Sequence, residues 1–484
     1  MTFAGKFLWK MPMLSLEKLT LKDFQLADIE RMQDNPGNLI CWEMGTGKTR
    51  FGVGIDLIRR TEGKFERTLV ICPTVAVLNV WAKTFGEFTN LRIATIEPAH
   101  RKDSWDAAIS KQAEVIIIHW AAVRLIPQLS QMQWFHVIAD EVHRISERKT
   151  LTAKSLKAIK ASYKTGMSGT PTDGRPDKLF SILQWLYPKE YKSYWKFYEL
   201  YCDSTIVYPG GYRVFNKPKN LPHLHGRIKD YYSVHFKRNQ CCIEHPKGVI
   251  PYMPNAPIQD TVFVTMGNKQ SKQYEEMRRD LLTWLSVQSE DLNSVPLLAQ
   301  NAISKLVRLQ QFAAAEMIAL PNGDVRLSMP SPKIDALIDL KIDNPDERIV
   351  VFSQFAQLIE LGVTACEKHN FTTCKIVGGQ SQPERQAQIE KFLATKGSIL
   401  LCTIRSGGEA IDGLQYGSSI CIFLDRDWNP GNNQQAIARL DRMGQQTQVQ
   451  VIDIQSENTV DMGRFTQIEM KSSWLMEFLK GATV

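Results

Sequence analysis

Short runs of almost entirely apolar residues constrain the fold of this chain more than any other feature. Four of them, NLICW, RTLVICP, EVIIIHW and WFHVIADE, lie in the first part of the chain and are separated by segments with a helical pattern. Strands that are buried on both faces of a parallel sheet have this near-continuous apolar character. The sequence therefore predicts one α/β domain with a doubly wound parallel sheet over 14–188.

A second series of the same kind begins near Ser331, with the runs ERIVVFSQ, CKIVGG, GSILLCT, SICIFLD and VQVIDI. It predicts a second α/β domain over 331–460 with the architecture of the first, and 484 residues suit two or three domains. Between the two domains, 189–330 is predicted to be an insertion that is basic and tyrosine-rich at first and helical afterwards. The ends are predicted to form an N-terminal extension over 1–13 and a C-terminal helix over 461–484.

The composition is typical of a soluble globular protein, with 43% hydrophobic and 23% charged residues. No run approaches the roughly 18 apolar residues of a membrane span, and the N-terminus lacks the small-residue cleavage site of a secretory signal. Nine cysteines without C-x-x-C spacing predict reduced thiols. We therefore expect a cytoplasmic protein that has no membrane partner.

The stretch CWEMGTGKTR follows the first predicted strand and precedes a helical pattern. A glycine-rich loop in that place aims backbone N–H groups and the positive end of a helix dipole at an anion. The residues predicted to bind the nucleotide are Gly45, Thr46, Gly47, Lys48 and Thr49. Lys48 would reach the β and γ phosphates, and the Thr49 hydroxyl would bind Mg²⁺. Trp42 replaces the first glycine of the full G-x-x-x-x-G-K-[ST] pattern, and the alternative is an ordinary glycine-rich turn beside an exposed lysine.

Asp140 and Glu141 stand at the carboxyl end of the apolar run in WFHVIADEVH. One carboxylate at such a strand end can hold Mg²⁺ through water, while its neighbour orients and deprotonates the attacking water. Acidic pairs at strand ends are common by chance, but the pair and the glycine loop together predict a nucleotide hydrolase site that uses ATP and Mg²⁺. Asp140 is the predicted metal contact beside Thr49, and Glu141 is the predicted base.

The segment from Lys189 to Ile250 carries eleven Lys and Arg against five Asp and Glu, so it supplies +6 of the net charge of +8. It also holds eight of the thirteen tyrosines. Cations interleaved with aromatic rings suit contact with nucleic acid, because the cations release counterions and the rings pack on sugars or bases. Lys237 and Arg238 are the candidate contacts. A solvated basic face over a tyrosine-rich core fits the composition equally well.

Six potential metal ligands lie close together in the same segment: His223, His225, His235, Cys241, Cys242 and His245. Zinc sites usually space their ligands in pairs across a short turn, and adjacent cysteines do not provide that spacing. The spacing therefore argues against a zinc site.

Several motifs occur in the order that is typical of superfamily two helicases. DEVH, SGTP and QAIARLDRMGQ resemble motifs II, III and VI of the Swi/Snf remodeller-like branch. LKDFQLADI resembles its Gln motif, ICPTVAVLNVW its motif Ia, VVFSQF its motif IV and LDRDWNP the segment before motif VI. The resemblance runs from about Leu21 to Val451 and implies two RecA-like domains of a minimal viral or bacterial motor. That branch does not keep a glycine at the position of Trp42.

The resemblance implies roles for residues outside the loop and the acidic pair. Gln25 would contact the adenine, and Arg439 and Arg442 would be arginine fingers from the second domain. An arginine that arrives when two domains close stabilises the charge on the transferred phosphoryl group. Structurally, the RLDR stretch could also be a surface helix turn with ion pairs. The residues that would couple the domains, in motifs III and VI, are Ser168, Thr170 and Gln435.

Motif V departs most from the family pattern. CTIRSGGEAIDGLQ has Ser406 in place of alanine, Ala410 in place of glycine and Asp412 where asparagine is usual. In relatives this segment contacts nucleic acid and helps to couple the domains, so Thr403 and Arg405 are candidate contacts. The departures therefore concern strand contact and coupling, whereas the residues of the ATP site are all present.

The expected function is ATP-dependent translocation on duplex, forked or branched DNA, with little sequence specificity, in replication, recombination or repair. Branch migration or remodelling is the expected task, replication or recombination proteins are the expected partners, and the location would be a bacterial cytoplasm or that of a virus-infected cell. The alternatives are a polymerase-associated recycling factor with the same fold and a strand-separating DNA or RNA helicase. A nucleotide-binding scaffold without activity fits less well, because Lys48, Glu141, Arg439 and Arg442 are all present.

Overall fold

The computed structural model describes residues 21–61, 64–172, 174–207, 212–238, 254–288, 306–319, 325–410, 413–442 and 444–462. They divide into two compact units. The first unit contains the described residues up to Asp203 together with 216–238, and the second contains Ser204–Phe215 and 254–462. The predicted N-terminal extension and almost all of the predicted C-terminal helix lie outside the described residues.

The first unit is built on a seven-stranded parallel sheet in the order β3-β4-β2-β5-β6-β1-β9. Its strands are β1 (Gly37–Ile40), β2 (Thr68–Cys72), β3 (Ile93–Thr95), β4 (Val115–His119), β5 (Gln133–Asp140), β6 (Lys160–Met167) and β9 (Tyr232–Ser233). Residues Ser204–Phe215, which belong to the second unit, form most of two further strands, β7 (Cys202–Val207) and β8 (Tyr212–Pro218), which pair with each other and whose outer ends belong to the first unit. Its helices are α1 (Asp23–Met32), α2 (Lys48–Arg59), α3 (Val75–Phe88), α4 (Arg101–Ser110), α5 (Gln128–Gln131), α6 (Leu151–Ala158), α7 (Pro176–Leu186), α8 (Tyr194–Tyr201) and α9 (Leu221–Ile228), with short 3₁₀ turns at Trp120–Arg124 and Val142–Ile145.

The second unit is built on a six-stranded parallel sheet in the order β10-β17-β16-β13-β15-β14. Its strands are β10 (Ile258–Val264), β13 (Ile349–Ser353), β14 (Thr373–Ile376), β15 (Ile399–Thr403), β16 (Ile420–Phe423) and β17 (Gln450–Ser456), and an antiparallel pair is formed by β11 (Glu316–Ala319) and β12 (Val325–Ser328). Its helices are α10 (Asn268–Gln288), α11 (Pro332–Asp343), α12 (Ala356–Lys368), α13 (Gln382–Ala394), α14 (Ile404–Ala410) and α15 (Pro430–Ile437), with a helical segment at 306–314 and a 3₁₀ turn at Leu414–Tyr416.

Burial on both faces explains the apolar runs. Every residue of β1, β2 and β13 is buried. Along β13, Ile349 and Val351 pack into one hydrophobic core, and Val350 and Phe352 pack into another on the opposite face. Alternate side chains of a strand point to opposite faces, so a sheet covered on both sides needs apolar residues throughout. The predicted α/β class with two parallel sheets is confirmed.

The predicted insertion contributes a strand to each sheet. Strand β9 pairs with β1 at the edge of the first sheet, and β10 pairs with β17 at the edge of the second. Periodicity does not reveal either strand, because β9 has two residues and β10 is largely exposed. None of the helices in the described parts of the chain is both long enough and apolar enough to cross a membrane.

The tyrosines of the basic segment are mostly interior residues. The buried ones are Tyr191, Tyr198, Tyr201, Tyr231 and Tyr232. The exposed lysines among its described residues are Lys189, Lys192, Lys196, Lys217, Lys219 and Lys229. These buried rings cannot stack on bases, so the tyrosine-rich core of the second interpretation is present, whereas contact of the exposed lysines with nucleic acid stays a prediction.

The histidines that suggested a metal have other contacts. His223 lies 3.1 Å from the Tyr201 hydroxyl, and His235 Nε2 lies 2.9 Å from Asp28 Oδ2. Cys241, Cys242 and His245 lie outside the described residues. Within the described ranges, no three His, Cys, Asp or Glu side chains are grouped so that they could hold a metal ion. The seven cysteines found there are buried free thiols.

A buried polar network joins α2 to the first sheet. Asp56 Oδ1 accepts hydrogen bonds from the Thr68 hydroxyl at 2.6 Å and from His136 Nδ1 at 2.9 Å. Arg59 Nη1 lies 3.1 Å from His136 Nε2, and a guanidinium can only donate, so Nε2 accepts and Nδ1 carries the proton. Burial, aided by the charge of Arg59, outweighs the hydrogen bond to Asp56 and lowers the pKa of His136 to about 4. The imidazole is therefore neutral in the folded protein at neutral pH.

We expect acidification to destabilise the first unit through His136. The unfolded chain takes up a proton at the ordinary pKa of about 6.5, whereas the folded chain does so only near 4. The free energy of unfolding is therefore retained above about pH 6.5 and falls as the pH drops toward 4, by about 2 kcal/mol between about pH 6.5 and 5. Urea unfolding at a series of pH values measures this loss. The His136→Gln variant should lose less stability over the same interval, and equal losses in both proteins would contradict the assignment.

Candidate active site

The glycine loop connects β1 to α2, as the sequence predicts. Gly45 and Gly47 have φ values of 82° and 90°, in the left-handed region that favours glycine. A Cβ atom at Gly47 would also lie 2.7 Å from Gln25 Nε2, so a side chain there would displace Gln25 as well as strain the backbone. Helix α2 begins at Lys48, and its first N–H groups, which have no partner within a helix, follow directly on the loop. The loop and the helix start thus form one anion-binding surface.

Gln25 on α1 holds the loop from one side. Its Nε2 donates to the carbonyl oxygens of Thr46 at 3.2 Å and Gly47 at 3.1 Å, and its Oε1 accepts from the Lys22 N–H at 2.9 Å. The side chain is buried. The structure thus shows Gln25 positioning the loop backbone, and its contact with adenine stays a prediction.

Trp42, at the position of the first glycine of the full pattern, is a buried anchor. Its ring packs edge-on against Phe24, Phe51 and His235, with ring centroids 5.1, 4.8 and 5.2 Å away. Its indole N–H donates to Ser233 Oγ at 2.6 Å. A large aromatic side chain here fixes the start of the loop in the core of the first unit.

The ammonium group of Lys48, the first residue of α2, lies against the backbone at the start of the loop. Its Nζ donates to the carbonyl oxygens of Trp42 at 2.9 Å and Glu43 at 3.3 Å. Burial lowers the pKa of Lys48, and the negative charges of Glu141 and Asp140 act in the opposite direction. The ammonium group is therefore within electrostatic reach of both carboxylates, as a phosphate-binding lysine beside a metal site must be.

Asp140 is the last residue of β5, and its carboxylate is held on both sides. Oδ2 accepts from the Trp81 indole N–H at 3.0 Å, and Oδ1 accepts from the Glu141 N–H at 3.0 Å. The Trp120 indole N–H donates to the Asp140 carbonyl at 2.8 Å. The Trp81 ring packs closely against α2 at Gly52, where a Cβ atom would lie only 2.6 Å from the ring. Burial and the adjacent charge of Glu141 raise the pKa of Asp140 to about 6.

Glu141 has a left-handed backbone with φ of 53°, which is uncommon for a residue with a side chain. Its Oε2 lies 3.2 Å from His143 Nδ1 and accepts from Ser168 Oγ at 3.3 Å. Burial alone would raise the pKa of Glu141, but the hydrogen bond and charge of His143, with the charge of Lys48, lower it. Glu141 is therefore ionised, as a residue that accepts a proton from water has to be.

The SGTP stretch lies beside both the loop and Glu141. The Ser168 N–H donates to the Ile40 carbonyl at 2.9 Å, and Ser168 Oγ accepts from the Thr170 N–H at 3.2 Å. A Cβ atom at Gly169 would lie 3.3 Å from Met44 Cγ. The structure thus brings two of the three predicted coupling residues, Ser168 and Thr170, to the candidate site.

The residues present suit a magnesium ion. Thr49 is the second residue of α2, and a hydroxyl and a carboxylate are the oxygen ligands that Mg²⁺ prefers. Asp140 and Glu141 are adjacent carboxylates, and burial together with their mutual repulsion raises the pKa of Asp140. A divalent cation would relieve that repulsion, so the donor set fits the predicted metal.

The predicted residues of motifs V and VI lie in the second unit. Gln435 is on α15, and Arg439 and Arg442 follow that helix as half-buried residues. Thr403 ends β15. The side chain of Arg405 is exposed, and its Nε lies 3.6 Å from Asp427 Oδ2 in the LDRDWNP stretch.

The structure corrects the prediction that Lys237 contacts nucleic acid. The Lys237 side chain is only 1% exposed, and its Nζ lies 3.2 Å from Glu43 Oε1. A buried, ion-paired lysine cannot displace counterions from a phosphate backbone, so composition was misleading here. Arg238 is half-buried, and its contact with nucleic acid stays a prediction.

Sequence reasoning does not single out Trp81 and His143, although both contact the acidic pair. Each stands inside a stretch that was recognised for another reason, Trp81 in ICPTVAVLNVW and His143 in DEVH. A buried tryptophan normally donates its N–H group to a polar partner, so the sequence could have indicated that Trp81 has such a partner. It does not identify the partner, because Trp81 and Asp140 are far apart in the chain.

The two parallel sheets, with a glycine loop and lysine beside two half-buried carboxylates in the first, define a P-loop nucleotide-binding protein with two RecA-like domains. The model of the SNF2-related domain matches residues 24–316, and that of the helicase conserved C-terminal domain matches residues 332–444. Because the first match alone covers more than half of the chain, this protein belongs to the SNF2-related family.

Similar proteins include large multidomain relatives. Chromodomain-helicase-DNA-binding protein 8 of Xenopus tropicalis is 26% identical over 517 residues, which cover 96% of this chain and 22% of that protein. The ISWI chromatin-remodeling complex ATPase ISW1 of Saccharomyces cerevisiae is 23% identical over 440 residues, which cover 87% of this chain and 37% of that protein. The structure of the Sulfolobus solfataricus SWI2/SNF2 ATPase core in complex with dsDNA is 23% identical, with 96% of this chain and 93% of that chain covered and a TM-score of 0.43. The chain thus spans about a fifth of the length of the first relative.

Proposed function

We propose that this protein is a DNA-dependent ATPase that uses ATP hydrolysis to move along duplex or branched DNA. The observation that carries the proposal is the environment of Glu141. Its side chain is only 15% exposed, and its carboxylate is ionised and held by Ser168 and His143, within electrostatic reach of Lys48. A carboxylate with these properties, next to a phosphate-binding loop, is suited to orient and deprotonate a water that attacks a γ-phosphate.

The other residues of the site have complementary roles. Lys48 neutralises charge on the β and γ phosphates, and the N–H groups of the loop and of α2 bind phosphate oxygens. Mg²⁺ held by Thr49 and Asp140 would neutralise the negative charge that develops on the phosphates. Trp81 keeps the Asp140 carboxylate in one orientation.

Coupling to movement involves the SGTP stretch and the second unit. Ser168 bonds both to Glu141 and to the backbone of Thr170, so a change at Glu141 alters the path of this stretch. Gln435 would help to transmit that change, and Arg439 and Arg442 would stabilise the transferred phosphoryl group when the two domains close.

DNA contacts are assigned to the exposed lysines of the basic segment rather than to Lys237. Lys192 precedes α8 and Lys196 lies on it, beside Trp195, which is 54% exposed. Lys217 lies near the end of β8, and Lys219 directly follows that strand. Contacts of this type bind the backbone without reading sequence, so specificity should be low. From the second unit, the candidate contacts are Thr403 and Arg405.

The relatives' names support DNA as the track, since they include chromodomain-helicase-DNA-binding proteins and a chromatin-remodeling complex ATPase. They also add protein-bound DNA to the substrates to be compared. Within the proposal, the task is remodelling or branch migration in replication, recombination or repair, with proteins of those processes as partners.

The choice of DNA structure is tested by measuring ATP hydrolysis with blunt duplex, single strand, fork, four-way junction and RNA at equal nucleotide concentration. We expect duplex DNA to accelerate hydrolysis several-fold, and a still larger effect of the fork or junction would indicate branched DNA as the substrate. Acceleration by single strands alone would indicate a strand-separating helicase instead. Acceleration by RNA but not by DNA would contradict the proposed track.

A further inference from the structure

The chain just beyond β9 runs along the start of the glycine loop. Three N–H groups at alternate positions of 39–43 donate to three carbonyl oxygens at alternate positions of 231–235. The pairs are Leu39 with Tyr231 at 2.8 Å, Cys41 with Ser233 at 2.7 Å and Glu43 with His235 at 2.9 Å. The backbone pairing therefore continues beyond Ile40, the last residue of β1, and extends into the glycine loop.

Glu43 and Lys237 complete this contact. The Lys237 N–H donates to Glu43 Oε2 at 2.7 Å, and Lys237 Nζ lies 3.2 Å from Glu43 Oε1. The lysine side chain is 1% exposed and that of Glu43 is 35% exposed. Because the ammonium group is buried, loss of the Glu43 carboxylate would leave it without this countercharge, and the two contacts together restrict the positions of both residues.

Glu43 is in turn bonded to the phosphate-binding residues. Its carbonyl oxygen accepts from Thr46 Oγ1 at 2.7 Å and from Lys48 Nζ at 3.3 Å. A shift of the Glu43 backbone would therefore move the lysine that is proposed to bind the β and γ phosphates. Lys237 is thus linked to the phosphate-binding residues Thr46 and Lys48 through a single intervening residue, Glu43.

The same stretch also holds α1 against the loop. Asp28 accepts hydrogen bonds from the Ser233 hydroxyl and, at 2.9 Å, from His235 Nε2. Helix α1 carries Gln25, which donates to the carbonyl oxygens of Thr46 and Gly47. Residues 231–238 therefore support the loop both directly and through α1.

We infer that Lys237 is a positioning residue of the nucleotide site, which acts through Glu43 to hold the glycine loop in its phosphate-binding geometry. This inference rests on the proposed function, because it assigns Lys237 to the ATP site of that function. In this role Lys237 contacts Glu43, whereas a DNA contact would place its ammonium group on a backbone phosphate. Its loss should weaken nucleotide binding and leave the salt dependence of DNA binding unchanged.

The test is the affinity of a fluorescent ADP analogue with Mg²⁺, measured for the unaltered chain, Lys237→Met, Glu43→Gln and the double variant. We expect each single variant to bind about tenfold more weakly and the double variant to bind no more weakly than either, because both remove one interaction. Lys237→Arg should recover part of the affinity. Lys154→Met, which removes an exposed charge on α6 of the same unit, is the matched control and should bind the analogue normally.

Unchanged affinity in Lys237→Met would overturn the inference. A fall of about one in its salt slope for duplex DNA, with normal analogue binding, would instead restore Lys237 as a phosphate contact. If Lys237→Met does not fold, unchanged affinity in Glu43→Gln, which alters the more exposed partner, overturns the inference equally. Failure of the unaltered chain to bind the analogue would count against the proposed function itself. If the unaltered chain binds the analogue but DNA does not stimulate its hydrolysis of ATP, the proposed movement on DNA is wrong, and the binding measurements still decide the role of Lys237.

Discussion

Replacing Glu141 by glutamine is expected to reduce ATP turnover by about 10²- to 10⁴-fold, while ATP binding is retained. The glutamine keeps the size of the side chain and can still meet Ser168 and His143, but it cannot accept a proton from the attacking water. Lys48 and the N–H groups of the loop are untouched, so the phosphates still bind. Steady-state hydrolysis together with binding of a labelled ATP separates the two effects.

Glu147→Gln provides the matched control for this experiment. Glu147 lies six residues further along the chain, its side chain is 66% exposed, and it pairs with Lys178. Its substitution should leave turnover close to that of the unaltered chain. Normal turnover in Glu141→Gln would remove Glu141 from the role of base.

Replacing Arg59 by methionine is expected to lower the free energy of unfolding of the first unit by about 3–5 kcal/mol. The guanidinium donates to the carbonyl oxygens of Gln33 at 2.9 Å, Met32 at 3.1 Å and Asn35 at 2.9 Å, and it also meets His136. Methionine fills much of the same volume but offers no donor, so buried acceptors are left without their hydrogen bonds. Urea unfolding followed by tryptophan fluorescence measures the loss.

Arg124→Met is the control for the Arg59 variant. Arg124 is exposed on the 3₁₀ turn that follows β4, so its substitution should change stability by no more than about 0.5 kcal/mol. If Arg59→Met is also destabilised by less than about 1 kcal/mol, the network between α2 and the sheet does not have the importance given to it here.

The strands that could be predicted are those buried on both faces. Runs such as TLVIC and IVVFS are almost entirely apolar, and this composition alone predicts that both faces of the strand are buried. Strand β6, Lys160–Met167, was missed although it lies between β5 and β1 in the sheet, because its first half, KASYK, is polar and partly exposed. Its place depends on pairing with β5 and with β1, which is distant in the chain, so no pattern within the strand itself could reveal it.

The candidate site was predictable where one short stretch carries the chemistry. Lys48 and the pair Asp140 and Glu141 were found because loop, strand and acidic pair are local features. The contacts that hold them are not local, since Trp81 reaches Asp140 only because Gly52 lets its ring approach α2. Lys237 shows the converse error, in which a basic composition suggested a surface contact for a residue that pairs with Glu43 in the interior.

The rate of ATP hydrolysis with and without blunt duplex DNA tests the central claim most directly. We expect slow hydrolysis by the unaltered chain alone, several-fold faster hydrolysis with duplex DNA, and a loss of both rates in Glu141→Gln. A rate that duplex DNA leaves unchanged, at low as well as moderate salt, would contradict the proposal that this site powers movement on DNA.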